Sequence, residues 1–207
     1  MAKIKLYRHA LSGHSHRIEV FLSLLGLDAE IIDVDLANRE HKRPDFLKKN
    51  IFGQVPVLED GEHTLADANA ILVYLAQYYD AANTWLPKEP RQAAEVQRFL
   101  SVAAGPMVTG PGAARLVNVF GAGLNHDKAI ATAHTLLTVL NRHLEGRAWL
   151  ATDEPTIADV ANYTYIAHAP EGGVSLENYP NIEAWLQRFE MLDGFVPMKS
   201  TAVGLAA

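Results

Sequence analysis

The chain has 207 residues, a formal net charge of −6 and 49% hydrophobic residues, and it contains no cysteine. The acidic balance argues against nucleic-acid or anionic-membrane partners, because such partners need a basic surface. No apolar run is long enough to span a membrane, and "MAKIKLYRHA" lacks a signal-peptide core, so we expect a cytoplasmic protein. Without a cysteine thiolate, any sulfur chemistry requires a sulfur atom that arrives on a ligand.

The first segments of the chain alternate between strand and helix patterns. Residues 4–8 and 29–36 have the composition of strands, and residues 17–25 between them place apolar side chains at helical spacing. Gly26 is a suitable C-terminal stop for this helix. We therefore expect the two strands to pair in parallel through a right-handed crossover.

The pattern changes to helices after the first third of the chain. Residues 55–65 predict a β-hairpin with its turn at Asp60-Gly61, and a further helix starts at Asp67. Two prolines in "DAANTWLPKEPRQ" then end this pattern, and only helical periodicity follows. The predicted organisation is an α/β domain over 1–80, a linker over 81–90 and an all-helical domain over 91–207.

The helical half contains two informative patterns. Thr156 and Asp159 have the spacing of a capping box, in which the Thr156 hydroxyl and the Asp159 carboxylate each accept a backbone N–H at a helix start. Such a box by itself predicts helix nucleation only. A core-facing stripe follows and ends at Gly194; its members are Ile182, Trp185, Leu186 and Phe189.

Pro56 is unexpected within a segment that otherwise has the composition of a strand. Proline has no N–H for a sheet ladder, so Pro56 should lie at an edge or in a special turn.

The order of elements, Val55-Pro56, the Asp67 helix start and the Thr156–Asp159 box together resemble the cytosolic glutathione transferase family, of the bacterial serine type. The resemblance covers essentially the whole chain, including "YPNIEAWLQRFEMLDGFVPM". It implies a thioredoxin-like N-terminal domain, an all-helical C-terminal domain and a homodimer. It also implies that glutathione is a co-substrate and that no further cofactor or metal is needed.

The resemblance assigns glutathione contacts to matching positions. It implies a cis Val55-Pro56 bond, at a cost of roughly 0.5–1 kcal/mol, which would leave the N–H and C=O of Val55 available for the cysteinyl part to add as a short antiparallel strand. It also implies that the helix N-terminus at Asp67 holds the γ-glutamyl carboxylate. The family usually has serine after the acidic residue, but this chain has Ala68. A hydrogen bond to a charged group is worth roughly 1.5–3 kcal/mol, so weaker glutathione binding is expected.

Three further residues are candidates for the ends of glutathione. Gln54, which precedes Val55, is expected to reach the glutamyl end. His41 and Lys42 are candidates for the glycyl carboxylate, and a solvated loop is an equally good interpretation of these two.

The bound thiol needs a hydrogen-bond donor that lowers its pKa by about two units from about 8.5. Ser12, before the first helix, is the favoured donor, and its alternative role is to cap that helix. His14, Ser15 and Tyr7 are the other candidates, although a tyrosine that ends a buried strand is often a core residue. The "HSH" run at 14–16 also suggests zinc, but no third ligand is evident.

The second substrate is expected near the first long helix of the helical half. Pro106 and Pro111 interrupt this helix and are candidates to shape a pocket near Met107 and Arg115, with a kinked core helix as the simpler interpretation. The leading hypothesis is a transferase that adds glutathione to an electrophile. The alternatives are a glutathione-dependent disulfide reductase or peroxidase, and a binding module without turnover.

Overall fold

The computed structural model describes residues 4–207, which divide into two compact units. The first unit extends to Ala82 and includes Asp193–Lys199, and the second comprises Asn83–Leu192 and Ser200–Ala207. The division after Ala82 falls inside the segment expected to be a linker. The return of Asp193–Lys199 to the first unit differs from the expected boundaries, which assigned everything after residue 90 to the helical domain.

The first unit is built on a four-stranded sheet with the order β2-β1-β3-β4. Its strands are β1 (Ile4–Arg8), β2 (Ala29–Asp33), β3 (Val57–Asp60) and β4 (His63–Ala66). β1 and β2 are parallel, whereas β3 is antiparallel to both β1 and β4. The predicted parallel pair and hairpin are thus confirmed, although β2 ends three residues before the predicted strand.

Helices pack against this sheet and complete the core of the first unit. They are α1 (Gly13–Leu24), α2 (Pro44–Leu47) and α3 (Ala68–Tyr79), with a short 3-10 turn at Glu40–Lys42. α1 and α3 contact each other, and both bury apolar side chains completely, among them Phe21 and Leu72. α1 begins four residues before the predicted apolar stretch because Ser12 caps it, with its hydroxyl accepting the N–H of Ser15 at 3.3 Å.

The segment Asp193–Lys199 packs against α1 within the first unit. His16 Nε2 donates to the carbonyl of Val196 at 2.8 Å. Gly194 has φ +85, and a Cβ atom there would lie 2.7 Å from the carbonyl oxygen of Ser23. Glycine is therefore required at this close approach, where the sequence pattern had suggested a helix stop.

The second unit is helical, which confirms the predicted fold class. Its helices are α4 (Pro90–Ala104), α5 (Ala113–Phe120), α6 (His126–His143), α7 (Ile157–Ala167) and α8 (Pro180–Glu190). α4 and α5 are separated by a π-helical turn, Val108–Gly112, that contains Pro111, as the two prolines predicted. Across residues 4–207, no helix has both the length and the apolar character needed to cross a bilayer.

The start of α7 is a fully buried capping box, as predicted. Thr156 Oγ1 accepts the N–H of Ala158 at 3.3 Å, and Asp159 accepts the N–H of Thr156 at 2.9 Å. Asp159 also accepts from the N–H of Leu150 and from Trp185 Nε1, both at 2.9 Å. Because Trp185 belongs to the predicted core stripe on α8, the box joins two helices as well as starting one. α8 itself ends at Glu190, earlier than the Gly194 stop suggested.

Candidate functional site

A cavity of about 790 Å³ opens on the first unit, in the size range of small-molecule sites. Its walls come from the starts of α1 and α3, the 3-10 turn, the loop before β3, and β4. Eight of the residues proposed from the sequence line it: His14, His41, Lys42, Gln54, Val55, Pro56, Asp67 and Ala68. Residues that are far apart in the chain are therefore brought together at one cavity.

The loop before β3 carries the Val55-Pro56 bond, which is cis in the structure. Val55 lies outside the helices and strands. Among the backbone–backbone hydrogen bonds that residues 4–207 make outside those elements, none involves the N–H or C=O of Val55. The preceding carbonyl, that of Gln54, accepts from Asn50 Nδ2 at 2.8 Å. The loop is thus held by internal bonds up to Gln54, and Val55 follows as a wall of the cavity.

The start of α3 is held in an unusual backbone conformation. Asp67 has φ 76 and ψ 124, and its Oδ1 accepts the N–H of Ala70 at 2.9 Å. A positive φ at a residue other than glycine is uncommon, and such conformations cluster at ligand sites, where they cost of order 1–3 kcal/mol. The positive end of the α3 dipole, at Asp67 and Ala68, therefore lies at the cavity wall.

Cationic and imidazole groups line another part of the same cavity. Lys42 Nζ donates to the carbonyls of Phe52 and Gly53 at 3.0 and 2.8 Å, which fixes the loop that leads to Val55. Burial and then the charges of Lys42 and Arg39 lower the pKa of His41. His41 is therefore neutral near pH 7, and Lys42 supplies the positive charge.

Lys49 also lines the cavity, and the sequence analysis did not select it. Its ammonium pairs with Glu59 and lies 4.7 Å from the centre of the Tyr7 ring. The Tyr7 hydroxyl donates to the other Glu59 oxygen at 2.9 Å, and Tyr7 is not among the cavity-lining residues. These contacts occupy the Tyr7 hydroxyl and fit the core role that was its alternative interpretation. The lysine pair 48–49 before the loop was the available sequence signal for Lys49.

The two serines near the start of α1 are used differently. The Ser12 hydroxyl caps α1, and Ser12 is not among the residues that line the cavity. Ser15 is fully buried, and its Oγ accepts the N–H of His9 at 3.2 Å. Ser15 therefore serves the internal structure of the loop between β1 and α1.

His14 is the thiol-activating candidate that lines the cavity directly. Arg17, one turn later in α1, donates from Nη1 to His14 Nδ1 at 3.0 Å. Burial and then the charge of Arg17 lower the pKa of His14 to about 3. The imidazole of His14 is consequently neutral at physiological pH.

His14 and His16 have separate partners, Arg17 and Val196. Within residues 4–207, no group of three or more His, Cys, Asp or Glu side chains is arranged to hold a metal ion.

Met107 and Arg115, proposed for the second substrate, are core residues of the second unit. Met107 is fully buried, and Arg115 Nε donates to Glu171 Oε2 at 2.6 Å in a buried ion pair. The contacts of both residues fit the kinked core helix, the simpler interpretation of this segment. They give no support to a ligand-binding role for either side chain.

Comparison with known proteins agrees with this fold. The models of the glutathione S-transferase N-terminal and C-terminal domains match residues 2–77 and 125–193. Glutathione S-transferase 3 from Zea mays is 35% identical over 202 residues, covering 89% of this chain and 88% of its own. Glutathione S-transferase theta-2 from Rattus norvegicus is 28% identical, covering 92% of this chain and 82% of its own.

Solved structures of glutathione transferases also resemble this chain in fold. A glutathione S-transferase from Pseudomonas fluorescens has a TM-score of 0.89 and 32% identity, covering 96% of this chain and 100% of that one. A glutathione transferase homologue from Drosophila mojavensis, solved with bound glutathione, has a TM-score of 0.85 and 26% identity, covering 93% and 89%. The chain belongs to the glutathione S-transferase family, whose enzymes take glutathione as a co-substrate and need no further cofactor.

Proposed function

We propose that this enzyme binds glutathione in the cavity of the first unit and activates its thiol for addition to an electrophilic carbon. The observation that carries the proposal is the joint position of the Val55 backbone and the α3 N-terminus on one cavity wall. Main-chain pairing and an anion site at a helix start are two recognition modes that a short acidic peptide satisfies together.

In the proposed complex, the cysteinyl main chain pairs with the N–H and C=O of Val55, next to Pro56. The γ-glutamyl carboxylate lies at the α3 N-terminus, at Asp67 and Ala68, where the helix dipole favours negative charge. The charge pattern of the cavity supports this orientation, because the Asp67 carboxylate is suited to the γ-glutamyl ammonium and Lys42 to the glycyl carboxylate.

The outer ends of glutathione have matching candidates. The glycyl carboxylate is placed near His41 and Lys42, where the lysine provides a charge-assisted contact. Gln54 is retained for the glutamyl end, because it lines the cavity immediately before Val55.

Thiol activation is assigned first to Ser12. A hydroxyl has one proton to donate and two lone pairs, so accepting the N–H of Ser15 leaves the Ser12 proton available to a sulfur. A donor of this kind beside the N-terminus of α1 supports a shift of about two units, at 1.36 kcal/mol per unit. Serine is not a base at neutral pH, so the thiol proton leaves to water.

A titration of the bound thiolate tests this assignment. Ultraviolet absorbance of the glutathione complex is followed against pH in wild type and in Ser12→Ala, His14→Ala and Tyr7→Phe. We expect Ser12→Ala to raise the thiol pKa by about two units while glutathione affinity is nearly unchanged. If Ser12→Ala titrates like wild type and another variant shifts upward, the assignment is refuted and the role passes to that residue.

The reaction itself is tested by two parallel assays. Conjugation of an aryl halide and reduction of a low-molecular-weight disulfide are measured with glutathione under identical conditions. We expect conjugation to be the faster reaction. Faster disulfide or peroxide reduction would favour the reductase alternative, and binding without turnover in either assay would favour the binding module.

We also propose that the enzyme acts as a cytoplasmic homodimer. Exposed apolar side chains support an interface: Leu116 and Phe120 on α5 are 36% and 43% exposed, and Phe52 is 72% exposed. Light scattering should give twice the 22.7 kDa mass of the chain at micromolar concentration. The mass of a single chain would refute the dimer.

A further inference from the structure

His14 and Arg17 form a pair at the cavity end of α1. They are three residues apart, so their side chains lie on the same face of the helix. The two nitrogens, Arg17 Nη1 and His14 Nδ1, are 3.0 Å apart, and Arg17 is only 1% exposed. His14 lines the cavity, whereas Arg17 does not. The pair thus joins a buried cation to an imidazole at the ligand site.

The direction of this hydrogen bond follows from the chemistry of the two groups. A guanidinium has five N–H donors and no acceptor, so Arg17 must donate and His14 Nδ1 must accept. A neutral imidazole carries one proton, which is therefore on Nε2 of His14. Burial and the Arg17 charge keep the ring neutral by lowering its pKa to about 3. The other charged groups that line the cavity are Lys42, Lys49 and Asp67.

We propose that Arg17 is a positioning residue that fixes His14 as the Nε2–H tautomer, so that His14 donates a second hydrogen bond to the glutathione sulfur. This inference rests on the proposed function, because it names a further contact to the same thiolate. His14 then acts as a donor and neither accepts nor releases a proton during activation.

The tautomer decides the sign of the interaction with a thiolate. With the proton on Nε2, the ring presents a donor to negative sulfur, which favours the ionised thiol. With the proton on Nδ1, the ring would present a lone pair on Nε2, which would disfavour the ionised thiol. An asparagine or glutamine amide needs no such control, since its donor is fixed by covalent structure.

The first experiment measures the tautomer in the full chain without glutathione. Nitrogen-15 correlation spectra of the histidine rings are recorded from about pH 5 to pH 9, where ordinary histidines titrate. His14→Gln identifies the His14 signals among the nine histidines. We expect Nδ1 to resonate as an unprotonated nitrogen and Nε2 as a protonated one, without titration. A protonated Nδ1, or titration near 6.5, would overturn the inference.

The second experiment asks whether Arg17 acts through His14. The bound-thiol pKa is measured in wild type, Arg17→Lys, His14→Ala and the double variant, with Arg188→Lys in the second unit as a control. We expect Arg17→Lys to raise the thiol pKa by up to about one unit, the size of one hydrogen bond, only where His14 is present. Arg188→Lys should leave it unchanged.

The two experiments separate the inference from the function on which it rests. An equal shift in both His14 backgrounds would mean that Arg17 acts on general structure, which overturns the positioning role. An unchanged thiol pKa in both Arg17→Lys and His14→Ala, which has no side-chain donor, would overturn the assigned donor role, with glutathione binding still intact. Calorimetry that detects no glutathione binding would instead refute the proposed function and, with it, the contact to sulfur.

Discussion

Helices α3 and α7 each have an acidic residue at their start, Asp67 as the N-cap of α3 and Asp159 as the third residue of α7, and the two starts differ in what the carboxylate contacts. At α7, the buried Asp159 accepts hydrogen bonds from Leu150, Thr156 and Trp185. At α3, the exposed Asp67 caps one N–H, that of Ala70, and has a positive φ. Asp67 follows the rule for N-cap residues, and Asp159 follows the rule for the third residue of a capping box.

The comparison shows that an acidic helix start has two separable uses. Where internal donors occupy the carboxylate, as at Asp159, it links elements of the core and has no capacity for a ligand. Where one internal donor is used and a cavity lies alongside, as at Asp67, the helix start is suited to an external anion or ammonium. We therefore expect changes at the α7 start to affect stability and changes at the α3 start to affect binding.

The largest effect is expected for Asp159→Ala. The change leaves the buried donors of Leu150, Thr156 and Trp185 without their acceptor, and each unsatisfied group costs about 1–3 kcal/mol. We expect the free energy of unfolding to fall by at least about 3 kcal/mol in denaturant titration. Asp159→Asn, which keeps one acceptor oxygen, should lose less. A loss below about 1 kcal/mol in Asp159→Ala would contradict the structural role of this helix start.

Asp67→Asn should change binding and leave stability almost unaltered. The amide keeps an oxygen for the Ala70 N–H but removes the negative charge, which is a partner for the γ-glutamyl ammonium. A charge-assisted contact of about 1.5–3 kcal/mol corresponds to roughly 10- to 100-fold weaker glutathione binding, measured by calorimetry.

The matched control for Asp67→Asn is Asn125→Ala at the start of α6. Asn125 caps the N–H of Lys128 at 2.9 Å, and it is not among the cavity-lining residues. Its loss should cost about 1 kcal/mol of stability and leave glutathione affinity unchanged. The binding role of α3 is refuted if Asp67→Asn keeps wild-type affinity or if Asn125→Ala weakens binding equally.

Much of this contrast was predictable from local sequence. The hairpin turn, the Pro56 interruption and the Asp67 helix start are adjacent in the chain, so local patterns fixed the order of the elements that form the cavity. The capping box at Thr156 was also predictable, since both partners lie within four residues. What the pattern did not contain was the contact between Asp159 and Trp185, which depends on tertiary packing.

The features that sequence reasoning missed depend on long-range contacts. Gly194 has the appearance of a helix stop, but its lack of a Cβ serves a close approach to Ser23. Arg115 has the appearance of a ligand-binding cation, but Glu171, 56 residues later, neutralises it in the core. Periodicity cannot predict either pairing, because the partners belong to separate segments of the chain.

The pKa of His14, at the start of α1, can be tested through the pH dependence of the stability of the protein. The pKa of His14 is lowered to about 3 in the folded chain, against about 6.5 when unfolded. Between these values the unfolded chain binds a proton that the folded chain does not, so stability falls as the pH falls below about 6.5. The contribution of His14 approaches about 1.4 kcal/mol per pH unit.

Denaturant titrations of wild type and His14→Gln at several pH values measure this effect. The difference in unfolding free energy between the two proteins should change by about 1 kcal/mol per unit between about pH 6 and pH 5. Above about pH 7.5 the difference should be constant, because His14 is neutral in both states. Parallel curves across the whole range would show that His14 titrates normally and is not held by Arg17.

The smallest effect is expected for Ala68→Ser. This variant tests the binding role of the α3 start through a gain in glutathione affinity. Ala68 is the first residue of α3 and lines the cavity, so a hydroxyl there would add one donor to the proposed carboxylate site. Since this hydroxyl must give up water to bind the ligand, we expect a net gain of about 1 kcal/mol, or roughly fivefold tighter glutathione binding. Ala70→Ser is the control, because Ala70 lies in the same turn, is exposed and does not line the cavity. Calorimetry should give tighter binding for Ala68→Ser alone; equal affinities for both variants and wild type would mean that the γ-glutamyl carboxylate lies elsewhere.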